Sequence, residues 1–260
     1  MHPLLFSIGP LKIYTYGFCV ALAFYVGIFL ASRVAVGAGI ARERIQDLAF
    51  VLLLSSIIGA RLFYVLTNPD VFLADPLEAV RIWNGGLVFY GGFIVAAICG
   101  IVFMKKHKMP LWRTADVVAP SLALGHAIGR IGCLFAGCCY GRVCDLPWAI
   151  TFTHPGSLAP IGMPLHPTQL YAVVANFLLF ATLMTFRRFK GFDGQIFWIY
   201  VLLYGIIRSI IETFRGDDRG GFLFGLLSVS QSIGIVMVVA AVGMLMFLAL
   251  GKKKCAVTDE

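Results

Sequence analysis

The sequence predicts an all-α membrane protein with seven transmembrane helices, its N-terminus outside and its C-terminus cytoplasmic. Three observations predict this. The 260-residue chain is 60% hydrophobic and only 13% charged, where a water-soluble domain carries about 25% charged residues, and its mean hydropathy is +0.89. Seven apolar segments reach the roughly 20 residues that a bilayer span needs. The Lys and Arg residues between them alternate in density from loop to loop. The formal net charge of +8 does not point to nucleic acid, because the basic residues form short clusters between apolar runs rather than one patch.

The spans are expected at about 14–32, 46–67, 86–104, 115–134, 169–186, 195–214 and 226–250. The first has no basic segment before it and no small-x-small site after it, so it is read as a span rather than a cleaved signal peptide. Long continuous apolar runs call for helices, since barrel strands would be short and alternating. The connections after the first, third and fifth spans carry Arg33, Arg42 and Arg44; Lys105, Lys106, Lys108 and Arg113; and Arg187, Arg188 and Lys190. The tail carries Lys252, Lys253 and Lys254, and the opposite side only Lys12, Arg81, Arg142, Arg215 and Arg219. The basic side is the cytoplasmic one, which requires an odd number of spans. No internal repeat or soluble module interrupts the chain, so 1–260 is expected to be a single polytopic membrane domain.

Two outer segments are more than turns. Residues 68–85, with Pro69 and Pro76, read as an interfacial stretch, and 135–168, with five prolines, is the longest hydrophilic part. A long loop on one face is where function concentrates, which places the work at the outer leaflet.

Charged residues inside apolar segments cost about 2.5–3.5 kcal/mol each on insertion scales. Arg61, near a span end, reads equally as a side chain snorkelling to the headgroups or as a functional one. Tyr204, Arg208, Glu212 and Arg215 recur at intervals of four, four and three, on one helical face. An Arg208–Glu212 ion pair alone would be structural, but a second Arg and a Tyr on the same stripe suit an anion, phosphate above all. In "GHAIGRIGCLFAGCCYGR", His126 and Arg130 are one turn apart among glycines that also favour tight packing. In "WNGGLVFYGG", the glycines around Tyr90 read as a broken or re-entrant element, while Tyr90 alone is an ordinary interfacial aromatic.

Cys133, Cys138, Cys139 and Cys144 lie within a dozen residues. Their spacing matches no standard zinc pattern, so no metal is expected. A disulfide suits an oxidising outer face, and a redox-active pair is a second possibility, although no C-x-x-C is present.

These stretches together resemble the phosphatidylglycerol–prolipoprotein diacylglyceryl transferase family of bacteria. The resemblance runs almost end to end, through "FSIGPLKIYTYG", "GARLFYVL", "WNGGLVFYGG", "GRIGCLFAGCCYGR", "HPTQLY", "GQIFWIYVLLYGIIRSIIETFR" and "LSVSQ". It implies a bacterial inner-membrane enzyme, embedded with its active site toward the outer face and needing no cofactor. Such an enzyme moves the diacylglyceryl group of phosphatidylglycerol onto the lipobox Cys of a pre-lipoprotein, forming a thioether and releasing glycerol phosphate. It also implies functional roles for Tyr16, Arg130, Gly141, Tyr204 and Arg208, with Glu212 and Arg215 in support. The family signature G-R-x-G-N-F-x-N-x-E-x-x-G departs here: Cys133 stands at its first Asn, Ala136 at its second and Cys138 at its Glu. Tyr90 stands where the family often has a His associated with proton removal, and Ala172 where an acidic residue is common.

Within that reading Arg130 and Arg208 are expected to stabilise the departing phosphate. Tyr90 and His126 are the expected candidates for handling the thiol proton. Tyr16, Gly141, Tyr204, Glu212, Arg215 and Cys133 are expected to line the substrate site. An enzyme Cys acting as nucleophile would end in a thioether it could not release, so the cysteines are expected to line the pocket or pair. A thiol oxidoreductase using the Cys133–Cys144 cluster and a phospholipid-binding or transport protein without chemistry are the alternatives.

Overall fold

The structure is a computed structural model, and it describes residues 2–8, 11–70, 75–81, 85–217, 222–223 and 227–257, with side chains omitted at Ile8, Leu11, Lys12, Phe222, Leu223, Leu227 and from Lys252 onward. Of the residues weighed above, Trp83, Asn84 and Arg219 lie outside the described residues, as do the side chains of Lys12 and Lys252–Lys254. Seven helices are long and apolar enough to cross a membrane: α1 (Thr15–Val36), α2 (Arg42–Thr67), α3 (Phe89–Lys106), α4 (Leu111–Ala136), α5 (Thr168–Phe186), α6 (Gln195–Glu212) and α7 (Val229–Val257). The only sheets among the described residues are two-stranded: β1 (Leu4–Ile8) with β2 (Leu11–Tyr14), β3 (Ile150–Thr151) with β4 (Pro164–Leu165), and β5 (Phe222–Leu223) with β6 (Leu227–Ser228). The backbone thus satisfies itself within helices, as a bilayer demands. The chain forms two compact units, one of residues 1–31 and 115–260 and the other of 32–114.

In the smaller unit α2 and α3 pack closely. Gly91 and Gly92 lie inside a continuous α3, so this is not a broken or re-entrant element. They serve contact instead: a Cβ on Gly91 would meet the Phe63 side chain and stand 2.7 Å from the Gly59 carbonyl. Gly85 and Gly86 do take left-handed backbone, with φ of 87° and 70°, in the stretch leading to α3. Arg61 organises that stretch rather than snorkelling. It is 5% exposed, and its guanidinium donates to the carbonyls of Ala79 (3.1 Å), Gly85 (2.6 Å), Gly86 (3.1 Å), Arg81 (3.3 Å) and Glu78. The segment it gathers includes the 3-10 turn Pro76–Val80, capped by Asp75. Backbone carbonyls, with the Glu78 carboxylate 3.8 Å away, stabilise this buried charge in place of lipid headgroups.

In the larger unit, α4, α5 and α6 share a core of Ala119, Ala123, Leu179, Leu183, Ile196 and Tyr200. On α6, Ile206 and Ile210 are exposed and Ile211 is buried, so one side of the helix faces outward and the polar stripe faces its neighbours. Asp116 fixes the start of α6. Its buried carboxylate accepts from the Gly194 N–H (2.7 Å) and the Phe197 N–H (2.9 Å) and pairs with Lys190 at 2.9 Å. Burial works against the Lys190 ammonium, but hydrogen bonds to Asp193 and Asp116 outweigh it and hold its pKa above the ordinary value. The hydrophilic segment 135–168 has a small core of its own, in which Phe152, Ala159 and Leu165 pack with Leu134, Tyr140 and Ile150.

Candidate active site

Four pieces of the larger unit converge: the end of α4, the loop after it, the start of α5 and the end of α6. Gly141 lies where they cross. Its N–H donates to the His166 carbonyl at 3.1 Å, and the neighbouring Arg142 N–H donates to the Phe214 carbonyl at 2.9 Å. The Gly216 N–H returns to the Tyr140 carbonyl at 3.2 Å, and Arg142 Nε donates to the Arg215 carbonyl at 3.0 Å. A Cβ on Gly141 would meet His166 and stand 2.9 Å from the Phe214 carbonyl. Only glycine admits backbone from both sides here.

The α6 stripe meets partners along its length. Arg208 pairs with Glu212 at 2.7 Å and donates to Ser230 Oγ at 2.9 Å. Glu212 also lies 3.8 Å from Arg215 and accepts from Ser228 Oγ at 3.4 Å. Arg215 is buried, and Asp217 grips it with two contacts of 2.9 and 2.6 Å. The stripe alone is therefore not left positive, because Glu212 and Asp217 balance Arg208 and Arg215. Asp217 was not foreseen, although it lies only two residues beyond Arg215. Ser228 and Ser230 belong to "LSVSQ".

The excess positive charge comes from Arg130. It lies near the end of α4, one turn beyond His126, and has no hydrogen bond or ion pair among the described residues. It is attracted by Cys139, Cys133 and Tyr204 and repelled by Arg215. Three guanidiniums, Arg130, Arg208 and Arg215, thus share the site with two carboxylates, Glu212 and Asp217. His126 sits between two tyrosines of α6: its Nδ1 is 3.3 Å from the Tyr200 hydroxyl, and its ring is 5.1 Å from that of Tyr204. Tyr200 and Tyr204 stack at 5.7 Å. Tyr200 precedes Tyr204 by four residues, so extending the helical period backward would have found it. Tyr16, in the first turn of α1, packs over Gly132, where a Cβ would be 3.3 Å from its ring, and it interacts electrostatically with Cys133, Cys138, Cys139 and Arg130.

Cys133, Cys138 and Cys139 come together. Their sulfurs all lie within 4.8 Å of one another, whereas Cys144 stands apart from the group. Among the described residues Cys133, Cys138 and Cys144 are not joined by a disulfide, one of the arrangements the sequence left open. The loop is held by α5: Thr168 Oγ1 donates to the Cys139 carbonyl at 2.7 Å, and Gln169 Nε2 to that of Cys138 at 2.9 Å. Hydrogen bonds from Cys133 and Cys138, with Arg130 and Arg215 behind them, draw the Cys139 thiol well below its ordinary pKa, while hydrogen bonding to Cys133 and Cys139 pushes Cys138 up. The sequence spacing, which fits no zinc pattern, did not reveal this grouping. It arises because Gly137 (φ 76°) ends α4 and Cys139 itself is left-handed (φ 62°), folding the loop back on the helix.

Tyr90 belongs to the other unit. It lies in the first turn of α3, exposed, with its ring edge-on to Phe89 at 5.7 Å.

The profile of the prolipoprotein diacylglyceryl transferase family matches residues 3–247. The phosphatidylglycerol–prolipoprotein diacylglyceryl transferase of Clostridium tetani is 35% identical over 242 residues, covering 93% of this chain and 96% of its own. That of Geobacter sulfurreducens is 34% identical over 259 residues (98% and 97%), and that of Aeromonas salmonicida 38% identical over 258 residues (97% and 91%). With seven apolar helices in place and a match over nearly its whole length, the chain belongs to the prolipoprotein diacylglyceryl transferase family.

Proposed function

We propose that this chain is a multi-pass inner-membrane transferase that moves the diacylglyceryl group of phosphatidylglycerol to the lipobox Cys thiol of a pre-lipoprotein. The observation that carries this reading is Arg130, a half-buried guanidinium with no hydrogen bond or carboxylate partner among the described residues. It is the third guanidinium of a site that holds two carboxylates, Glu212 and Asp217. A buried charge of this kind is costly unless an anion completes it, and a phospholipid's phosphodiester is the anion at hand in a bilayer.

The reaction is a displacement at carbon. The thiol sulfur bonds to the glyceryl carbon that bears the phosphate ester. The C–O bond breaks, its electron pair leaves on the phosphate oxygen, and glycerol phosphate departs. Arg130 and Arg208 face the charge that builds on that oxygen, the preorganised electrostatic role that most accelerates such steps. Glu212 and Ser230 aim Arg208, and Asp217 holds Arg215 so that the Gly141 crossing keeps its shape. Tyr16, Tyr204 and Cys133 line the space beside Arg130. The thiol proton goes to His126, and a part for Tyr90 in the transfer is suggested by the family resemblance alone. With Nδ1–H donating to the Tyr200 hydroxyl oxygen 3.3 Å away, Nε2 is the ring nitrogen that accepts the proton. The low density of Lys and Arg around 135–168 supports an outward-facing site, with the N-terminus outside.

The test is direct. The purified chain is incubated with phosphatidylglycerol and a lipobox peptide, and the peptide is weighed by mass spectrometry. A diacylglyceryl increment on the Cys is expected. An unmodified peptide, or one joined only by a disulfide, overturns the reading.

A further inference from the structure

We propose that Cys133, Cys138 and Cys139 form a three-sulfur zinc site whose open fourth position takes the incoming substrate thiol. This deepens the transferase reading and rests on it.

The geometry comes first. At a Zn–S distance of about 2.3 Å, tetrahedral coordination sets sulfurs about 3.8 Å apart. The three Sγ atoms already lie within 4.8 Å of one another, so closing on an ion needs shifts of about 1 Å or less. The scaffold is built for this. Cys133 is fixed in the last turn of α4, and the left-handed Cys139 backbone is a conformation a non-glycine residue adopts only where its surroundings impose it. Thr168 and Gln169, each 1% exposed, hold the carbonyls of Cys139 and Cys138 from behind. The Gln169 Oε1 is buried without a partner among the described residues, which leaves an acceptor in the wall of the same loop. Soft sulfur donors select zinc over the hard cations.

Three protein ligands and an open fourth position distinguish a catalytic zinc from a structural one. A thiol that coordinates the ion loses its proton outright, which supplies the nucleophile this reaction needs. The substrate thiol displaces a zinc-bound water and gives its proton to His126. The S–C bond then forms as the C–O bond to phosphate breaks. The product thioether is neutral, a weaker ligand than the thiolate, and it leaves the ion. No oxidant or reductant is required, and the enzyme cysteines stay ligands throughout, which avoids the dead-end enzyme thioether.

The experiment uses the full chain purified in detergent under reductant. Metal analysis is expected to find one zinc per chain, lost in Cys138→Ser and Cys139→Ser and kept in Cys99→Ser and Cys144→Ser. With cobalt in place of zinc, a lipobox peptide bearing Cys is expected to change the visible spectrum, and the Ser peptide to leave it unchanged. Stripping zinc should slow transfer by about 100-fold or more, the low end of what activating a nucleophile contributes, and zinc should restore it. Transfer at full rate by zinc-free protein overturns the zinc inference and leaves the transferase reading standing, as does wild-type protein that binds no zinc. A cobalt spectrum that responds to the Cys peptide while no lipid is ever transferred supports the metal site and sinks the transferase reading instead.

Discussion

Arg208 and Glu212, one turn apart on α6, meet at 2.7 Å, and the same carboxylate oxygen lies 3.8 Å from Arg215. One carboxylate therefore sets the aim of one guanidinium and touches a second. With Asp217 on Arg215, both guanidiniums of the stripe have carboxylate partners, whereas Arg130 has none among the described residues.

That division separates the arginines experimentally. Arg130→Ala and Arg208→Ala should each slow transfer to a lipobox peptide by about 100- to 1,000-fold, or roughly 2.7–4 kcal/mol of barrier. Phosphatidylglycerol binding, read by native mass spectrometry, should fall more in Arg130→Ala. Near-normal rates in both folded variants would remove the phosphate role.

The proton can be traced in the same assay. Tyr90→Phe should cost more than about tenfold, or 1.4 kcal/mol, through lost positioning or lost proton transfer. His126→Gln should do the same, and Tyr200→Phe, which frees the ring at Nδ1, should have a milder effect. A silent Tyr90→Phe beside a dead His126→Gln assigns the base to His126.

Gly141→Ala tests the crossing. The added methyl must displace His166 or the Phe214 carbonyl, and overpacking of this kind costs about 1–3 kcal/mol. The melting temperature in detergent should drop, and transfer should drop with it because Arg215 sits on one of the displaced strands. An unchanged melting temperature would show that the crossing opens freely.

Arg61→Lys probes the smaller unit. Five carbonyls take donors from the guanidinium, and an ammonium offers three donors from one point. At least two carbonyls lose their partner, at about 1–3 kcal/mol each where they stay buried. Faster proteolysis within 68–86 in Arg61→Lys is the expected readout. Equal cleavage rates in variant and parent would mean that Arg61 does not hold that segment.

The spans were legible because length and apolarity alone define them. The predicted 14–32 and 46–67 became Thr15–Val36 and Arg42–Thr67; the early turn of α2 was missed because Arg42, Glu43 and Arg44 interrupt the apolar run without interrupting the helix. The stripe Tyr204, Arg208, Glu212 and Arg215 was legible because helical spacing is local. Arg61 stayed open between two readings because most of its partners are backbone carbonyls, which leave no residue-type signature. The thiol grouping was hidden for a related reason: it depends on two left-handed residues and on hydrogen bonds from α5, some 30 positions away.

Asp116 gives α6 its register, and it does so far from the chemistry. The carboxylate holds Gly194 and Phe197, while Arg208 lies fourteen residues further along, roughly 21 Å at helical rise. A slip of one residue at that clasp would turn the whole stripe by about 100°, carrying Arg208 away from Ser230. The angular setting of the reactive end is thus fixed at the opposite end of the rod, like a key cut at one end and turned from the other. Lesions at Asp116 would be felt as misdirected catalysis before they were felt as unfolding, and a compound that pried Asp116 from Gly194 could disarm the enzyme without entering its substrate site.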